Sequence, residues 1–317
     1  MFVIHVMNDI HGAKPLIDAV VTAIGQMRRG DTVIINGDGA GARGKIMNNL
    51  IRIYYEVRRG ESDEATLLAT IKEVIGTKPS IPKEWIYDTV HGGLFRALLA
   101  ERYARFEKVA RYELIEVLDE TLKPLSEAAN TAGVKLVYLP GNGEIVPNDF
   151  STKAFTEEIT VDPESRFYQK LLYDGFFEKY GIDYVPYAAK MGDTILIGIN
   201  LLDMGTKQAS ILLKNVSGDD TFKTVIAHYP PAVSPIGGSF SFWTPNKMDI
   251  KRSEALKAIT DSIKLSENVQ FVFGHIHLGA TDPRMMPFPS TMGFKAAGYQ
   301  CTWVKPGAVL SIEGSQQ

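Results

Sequence analysis

Five short stretches of this chain carry residue types that hold metal ions. The last of them, Gly274-His275-Ile276-His277, follows an apolar run that reads as a buried strand over 269–273. Two histidines two residues apart on extended backbone point to the same side of the chain. Neutral imidazole ligates Zn, Mn, Fe and Ni, so such a pair suits a shared metal site. Taken alone, the pair reads equally as two strand-end histidines facing solvent. The other stretches are Asp9-Ile10-His11, Gly37-Asp38, Gly141-Asn142 and Ala227-His228. Four of the six histidines fall within the five stretches, leaving His5 and His91 outside them.

Strands that would position these residues precede each stretch. Residues 3–7, 31–36, 134–139, 222–227 and 269–273 are short, mostly apolar runs ending at the polar motifs. A helix over 15–27, with Leu16, Val20, Ala23, Ile24 and Met27 at helical spacing and Arg28-Arg29-Gly30 as its stop, separates the first two strands. Strand, helix, strand with function at the strand ends is the logic of an α/β domain, whose ligand crevice lies at one edge of the sheet. Seven candidate ligands at such an edge can hold two metals, one carboxylate bridging them.

Beyond this frame, residues 45–132 read as helical, with blocks near 50–57, 67–75 and 85–129, a longer connection than an α/β unit needs. They are expected to form an inserted helical cap, with the core made of 1–44 and 133–317. A helix over 164–179, a hairpin of 184–189 with 194–199 turning at Met191-Gly192-Asp193, a helix over 250–263 and a strand-rich end after Gly298 complete the expected elements.

Composition narrows the class. The chain has 317 residues, 45% of them hydrophobic, and a net charge of −3, so it offers no bulk attraction to nucleic acid or anionic membrane. Its single cysteine, Cys301, excludes an intramolecular disulfide and a thiolate zinc finger. No apolar run approaches the length of about 20 residues that crosses a bilayer. The expected location is the cytoplasm, with no membrane partner.

The ordered series Asp9-Ile10-His11, Gly37-Asp38, Gly141-Asn142-Gly143-Glu144, Ala227-His228-Tyr229-Pro230-Pro231 and Gly274-His275-Ile276-His277 resembles the calcineurin-like metallophosphoesterase superfamily. Pro306-Gly307-Ala308-Val309 also looks like that family's closing turn and strand. The resemblance covers 1–44 and 134–313 and leaves the helical insertion without counterpart. It implies a four-layer αββα sandwich of two mixed sheets and a binuclear metal centre. Carried over by position, Asp9, His11 and His277 fall on one divalent ion, and Asn142, His228 and His275 on the other. Asp38 bridges the two. Manganese is the leading expectation, with iron, zinc or nickel as alternatives. The implied reaction is hydrolysis of a small phosphate ester by a metal-bridging hydroxide, with catalytic roles for Asp38 and Asn142.

The chain departs from the family where the leaving group is protonated. Gly143 stands where a histidine usually follows the asparagine, and Gly41 where an aspartate usually orients it. General acid catalysis contributes roughly 10²–10⁴-fold, so its loss leaves a slower enzyme rather than none. A leaving group of low pKa would hardly need protonation, which favours diesters or nucleotide-like substrates slightly. His91 is one candidate for a replacement acid, beside the plainer reading of an ordinary surface or core histidine. Arg43, Arg284, Tyr229 and Trp243 are candidates for substrate contact, the last on a Gly- and aromatic-rich loop over 234–245. Glu144 suits a supporting carboxylate better than a ligand. Two other classes stay open: a non-catalytic scaffold similar to the retromer subunit of this fold, and a nuclease of the same superfamily, which would need a local basic surface.

Overall fold

The computed structural model describes residues 2–39, 103–142, 175–218, 221–233, 247–263, 268–276 and 289–314, with isolated positions 63, 245 and 265. These form an α/β sandwich of two mixed sheets. The first sheet contains β1 (Phe2–Met7), β2 (Thr32–Asn36), β3 (Lys135–Leu139), β4 (Ile182–Tyr184) and the last strand, β11 (Val309–Gly314). Its order is β11-β1-β2-β3-β4, all parallel except the β11–β1 pair. The second sheet contains β5 (Ala188–Met191), β6 (Thr194–Ile197), β7 (Thr224–Ala227), β8 (Gln270–Phe273), β9 (Thr291–Ala296) and β10 (Tyr299–Val304). They lie in the order β5-β6-β7-β8-β10-β9, antiparallel only at the two edge pairs.

Alternation along each strand assigns its two faces. Ile4, Val6, Ile34, Val137 and Leu139 of the first sheet meet Leu196, Ile226, Val272 and Val304 of the second in one buried cluster. The intervening residues face outward onto helices. Val33, Ile35, Leu136 and Tyr138 pack beneath α1 (Lys14–Ile24) and α2 (Tyr103–Ala132). Ile195, Ile197, Val225, Phe271 and Phe273 pack beneath α3 (Ile199–Leu202), α4 (Thr206–Ser217) and α5 (Lys247–Ser262). Helix, sheet, sheet and helix therefore stack in four layers, and nearly every central strand is buried on both faces. That explains the continuous apolar runs in the sequence.

Several sequence expectations need adjustment. The C-terminal half of α2 lies within the range 45–132 read as a cap, yet Leu118, Leu122, Leu125 and Ala129 form a buried stripe in the core layer. Residues 45–62 and 64–102 lie outside the described residues. Tyr184 closes β4 in the first sheet rather than opening the hairpin. The hairpin itself is β5–β6, turning at Gly192 and Asp193. Of the expected helix 164–179, residues 164–174 fall outside the description and Glu178–Tyr180 is a single 3-10 turn. The elements not anticipated include α3, α4 and β9. The buried residues of α4 are Ala209, Leu213 and Ser217, only one of them large and apolar, so its periodicity is faint. β9 joins β10 through Ala297 and Gly298, both at positive φ (54° and 90°), the geometry of a tight two-residue hairpin turn. Among the described residues no helix is long and apolar enough to cross a membrane.

Candidate metal centre

The C-terminal ends of β1, β2, β3, β7 and β8 deliver Asp9, Asp38, Asn142, His228 and His275 to one edge of the sandwich. Two asparagines that directly precede the motifs hold the two sheets in register there. Asn8 Nδ2 donates to the carbonyls of Phe273 (3.1 Å) and Val304 (3.2 Å), and Asn36 Nδ2 to that of Ala227 (3.0 Å). Asn36 ends β2 and Asn8 directly follows β1 of the first sheet, whereas all three carbonyls belong to the second. Each side chain is fully buried, so these bonds replace water inside a dry edge.

The loops bend sharply to aim their side chains inward. Asp9, His11, Asp38 and His275 have φ of 54°, 55°, 45° and 64°. Left-handed backbone at a residue with a Cβ costs about 1–2 kcal/mol, and such strain collects at functional sites. Main-chain bonds hold the bends: His11 N–H donates to the Asp38 carbonyl (2.8 Å) and Gly12 N–H to that of Gly39 (2.7 Å).

The motif glycines supply the remaining room, each for a residue of a different motif. A Cβ on Gly37 would lie 2.1 Å from His228 Nδ1, one on Gly141 2.3 Å from Asp38 Oδ1, and one on Gly274 2.5 Å from Asp9 Oδ2. The glycines are therefore the clearance that lets three loops interlock.

Within this cradle Asp9, Asp38 and His228, all buried, each present one donor atom within 4.8 Å of the other two. His228 Nε2 is 3.6 Å from Asp38 Oδ1 and 2.9 Å from Asn142 Oδ1. His275 Nδ1 is 2.8 Å from the same Asn142 oxygen. The far side of each ring faces a further acceptor. His228 Nδ1 lies 3.2 Å from the Asn36 carbonyl, and His275 Nε2 lies 3.2 Å from Asp249 Oδ1 on α5.

A neutral imidazole has one N–H. With that N–H given to Asn36 or to Asp249, the nitrogens facing Asn142 carry lone pairs. Two lone pairs and an amide oxygen converging in this way suit a bound cation. Carboxylate, imidazole and amide donors are the mixed set that borderline divalent ions take. The residues present thus fit a metal centre.

Most of the expected ligands meet here. Asp9, Asp38, Asn142, His228 and His275 come together, and His11 sits in the same strained loop, bonded through its backbone to Asp38. His277, His91, Arg43, Trp243, Arg284, Gly143 and Glu144 lie outside the described residues. Tyr229 is only 1% exposed. Its hydroxyl accepts from Arg252 Nη1 (3.0 Å) and its ring packs 4.0 Å from that of His275, which places it behind the ligand.

The residues missed by sequence reading are those that support the ligands. Asp249 orients His275. Arg252 forms a bidentate pair with Asp203 (2.9 and 3.0 Å) and holds Tyr229 against the same ring. Burial works against the charge on Arg252, but Tyr229 and Asp203 outweigh it and hold the guanidinium firmly protonated. Asp249 and Arg252 lie on one face of α5, three residues apart, a spacing that identifies neighbours but not their purpose. No protein-family model matches the chain, and no curated protein matches it.

Proposed function

We propose that this protein is a phosphoesterase dependent on two divalent metal ions, manganese first among the candidates, acting on a small phosphate ester in the cytoplasm. The observation that carries the reading is the convergence of His228 Nε2 and His275 Nδ1 on Asn142 Oδ1, beside the buried pair Asp9 and Asp38. Asp9, His11 and His277 would hold one ion, Asn142, His228 and His275 the other, with Asp38 shared. Bound there, the two ions would polarise a phosphoryl group and lower the pKa of water between them.

The chain's own residues set the conditions for that chemistry. Asp249 and the Asn36 carbonyl keep the outward imidazole nitrogens protonated, so the inward ones stay available as donors. Asp9 and Asp38 concentrate negative charge at buried positions, where its attraction for a cation is strong. Glycine at position 143 offers no side-chain proton to a leaving oxygen. That favours substrates with a good leaving group, diesters and nucleotide-like compounds among them.

The test is metal analysis of the purified protein together with hydrolysis of paired aryl mono- and diesters in Mn²⁺. Wild type should retain close to two ions and turn over the diester. Asp38→Asn should lose metal and at least about 10²-fold in rate, the scale of a lost electrostatic contact at a reacting group. Turnover by Asp38→Asn equal to wild type would sink the reading. Stoichiometric metal without turnover of any ester would favour a scaffold instead.

A further inference from the structure

A second group of chemically competent residues lies on the outer face of the first sheet. His5, outside every motif above, sits mid-strand on β1 between Ile4 and Val6, so its ring points away from the inter-sheet core. It is about 13 Å along the strand from Asp9 at ~3.3 Å per residue. In the antiparallel ladder, His5 is directly opposite Ser311 of β11. His5 Nδ1 lies 2.9 Å from Ser311 Oγ, and Nε2 lies 3.2 Å from Asp31 Oδ2. Asp31 is buried, whereas Ser311 is exposed. All three line a cavity of about 630 Å³, with apolar walls from Val3, Ala23, Met27 and Val309.

The hydrogen-bond directions are determined by Asp31. Its carboxylate accepts the Val3 and Arg28 backbone N–H groups (both 3.0 Å) as well as His5. Burial pushes this carboxyl up, but those donors outweigh it and hold it below the usual carboxylate range. An anionic acceptor at Nε2 keeps the proton on that nitrogen and leaves the lone pair on Nδ1. The Ser311 hydroxyl therefore donates to a base, the arrangement that activates a serine as nucleophile.

We propose that Ser311, His5 and Asp31 form a second reactive site, independent of the metal centre, at which Ser311 is acylated by small carboxylic esters. Ser311 Oγ forms the bond to the acyl carbon while its proton passes to His5 Nδ1. The bond to the alkoxy oxygen breaks, and the departing alcohol takes that proton. Water then cleaves the acyl-serine, giving its proton to His5 and releasing the acid with Ser311 restored. Asp31 is a positioning residue that selects the tautomer. Arg28 lines the same cavity and is a cation available to the oxyanion. The apolar walls suit a short acyl chain, and the cavity volume admits a small ligand.

The probes are a fluorophosphonate and p-nitrophenyl butyrate, applied to the full chain with EDTA throughout. In the first, Oγ–P forms, P–F breaks, and fluoride leaves as the proton goes to His5. Peptide mass spectrometry should place one adduct per chain on Ser311, absent in Ser311→Ala and formed at least tenfold more slowly in His5→Gln. Nitrophenolate release should follow the same pattern. Melting temperatures within a few degrees of wild type establish that Ser311→Ala, a surface change, is folded. Nitrogen-15 NMR of labelled histidine reads the tautomer: His5 should carry its proton on Nε2 in wild type and lose that preference in Asp31→Asn. Absence of an adduct on Ser311, or wild-type labelling in His5→Gln, would overturn the proposal. So would an Nδ1-protonated His5 in wild type.

Discussion

One strand serves both candidate sites, and they are built differently. Past its C-terminal end, β1 hands Asp9 and His11 to the candidate metal centre through backbone held at φ near 55°. In its middle it presents His5 to Asp31 and Ser311 in plain ladder register, with no positive φ at His5 or at either partner. A ladder fixes side-chain direction to two faces and needs no strained backbone to bring neighbours together. It can assemble only what the register already makes adjacent. Strand-end loops escape that limit and can gather residues from five strands and two sheets. They do so at the expense of left-handed backbone, missing Cβ atoms and buried polar bonds.

The largest effect that would sharpen this contrast is expected at Gly37. A Cβ there meets His228 at 2.1 Å on backbone at φ 82°. Strain and overpacking together make Gly37→Ala destabilising by about 2–5 kcal/mol, with loss of bound metal. Gly30 has a similar φ of 91° but nothing within 4 Å of its would-be Cβ. Gly30→Ala should cost only about 1–2 kcal/mol, from backbone strain alone, and should keep its metal. Urea unfolding and metal analysis of both variants check this. Equal losses in the two would mean that the close approach to His228 contributes nothing.

A smaller effect is expected one step back from the ligands. Asp249→Asn no longer offers His275 a carboxylate and should weaken metal binding by about 10–100-fold. Competition against a chelator measures it. The ladder site has no stake in Asp249, so fluorophosphonate labelling of Ser311 should be unchanged in this variant.

The smallest effect concerns acid. Asp31 has its carboxyl held below the ordinary range in the folded protein. A depressed carboxyl contributes stability that is complete above its unfolded pKa of about 3.9 and disappears as pH falls through the lower folded value. Wild type should therefore exceed Asp31→Asn by about 1 kcal/mol near neutrality, the worth of a hydrogen bond to a charged group net of what the amide retains. The gap should close below about pH 4. Denaturant melts from pH 7 to 2.5 follow it, and a gap constant across that range would remove the ionic role assigned to Asp31.

Much of the frame was readable because burial leaves a mark on composition. Strands covered on both faces became apolar runs, such as 33–35 and 271–273, and each ran into a Gly-bounded polar motif. The faint elements were those whose pattern is weak. β9 is half-exposed through Thr291, Met292 and Phe294, and α4 buries a single large apolar residue, Leu213. Leu118, Leu122 and Leu125 lie within the range read as a cap and pack in the core layer; a core helix and an inserted helix share one period, and only the packing partners distinguish them.

The ligand types, their order along the chain and the strands that carry them were determined by the sequence alone, since hydrophobic runs and turn glycines are local properties. What surrounds each ligand was decided only by tertiary structure. The hold of Asp249 on His275, the stitching of the sheets by Asn8 and Asn36, and the meeting of His5 with Ser311 across 306 positions all join residues far apart in the chain. Such contacts have no period and no spacing. They arise when two sheets pack and every buried polar group must find a partner within hydrogen-bond reach.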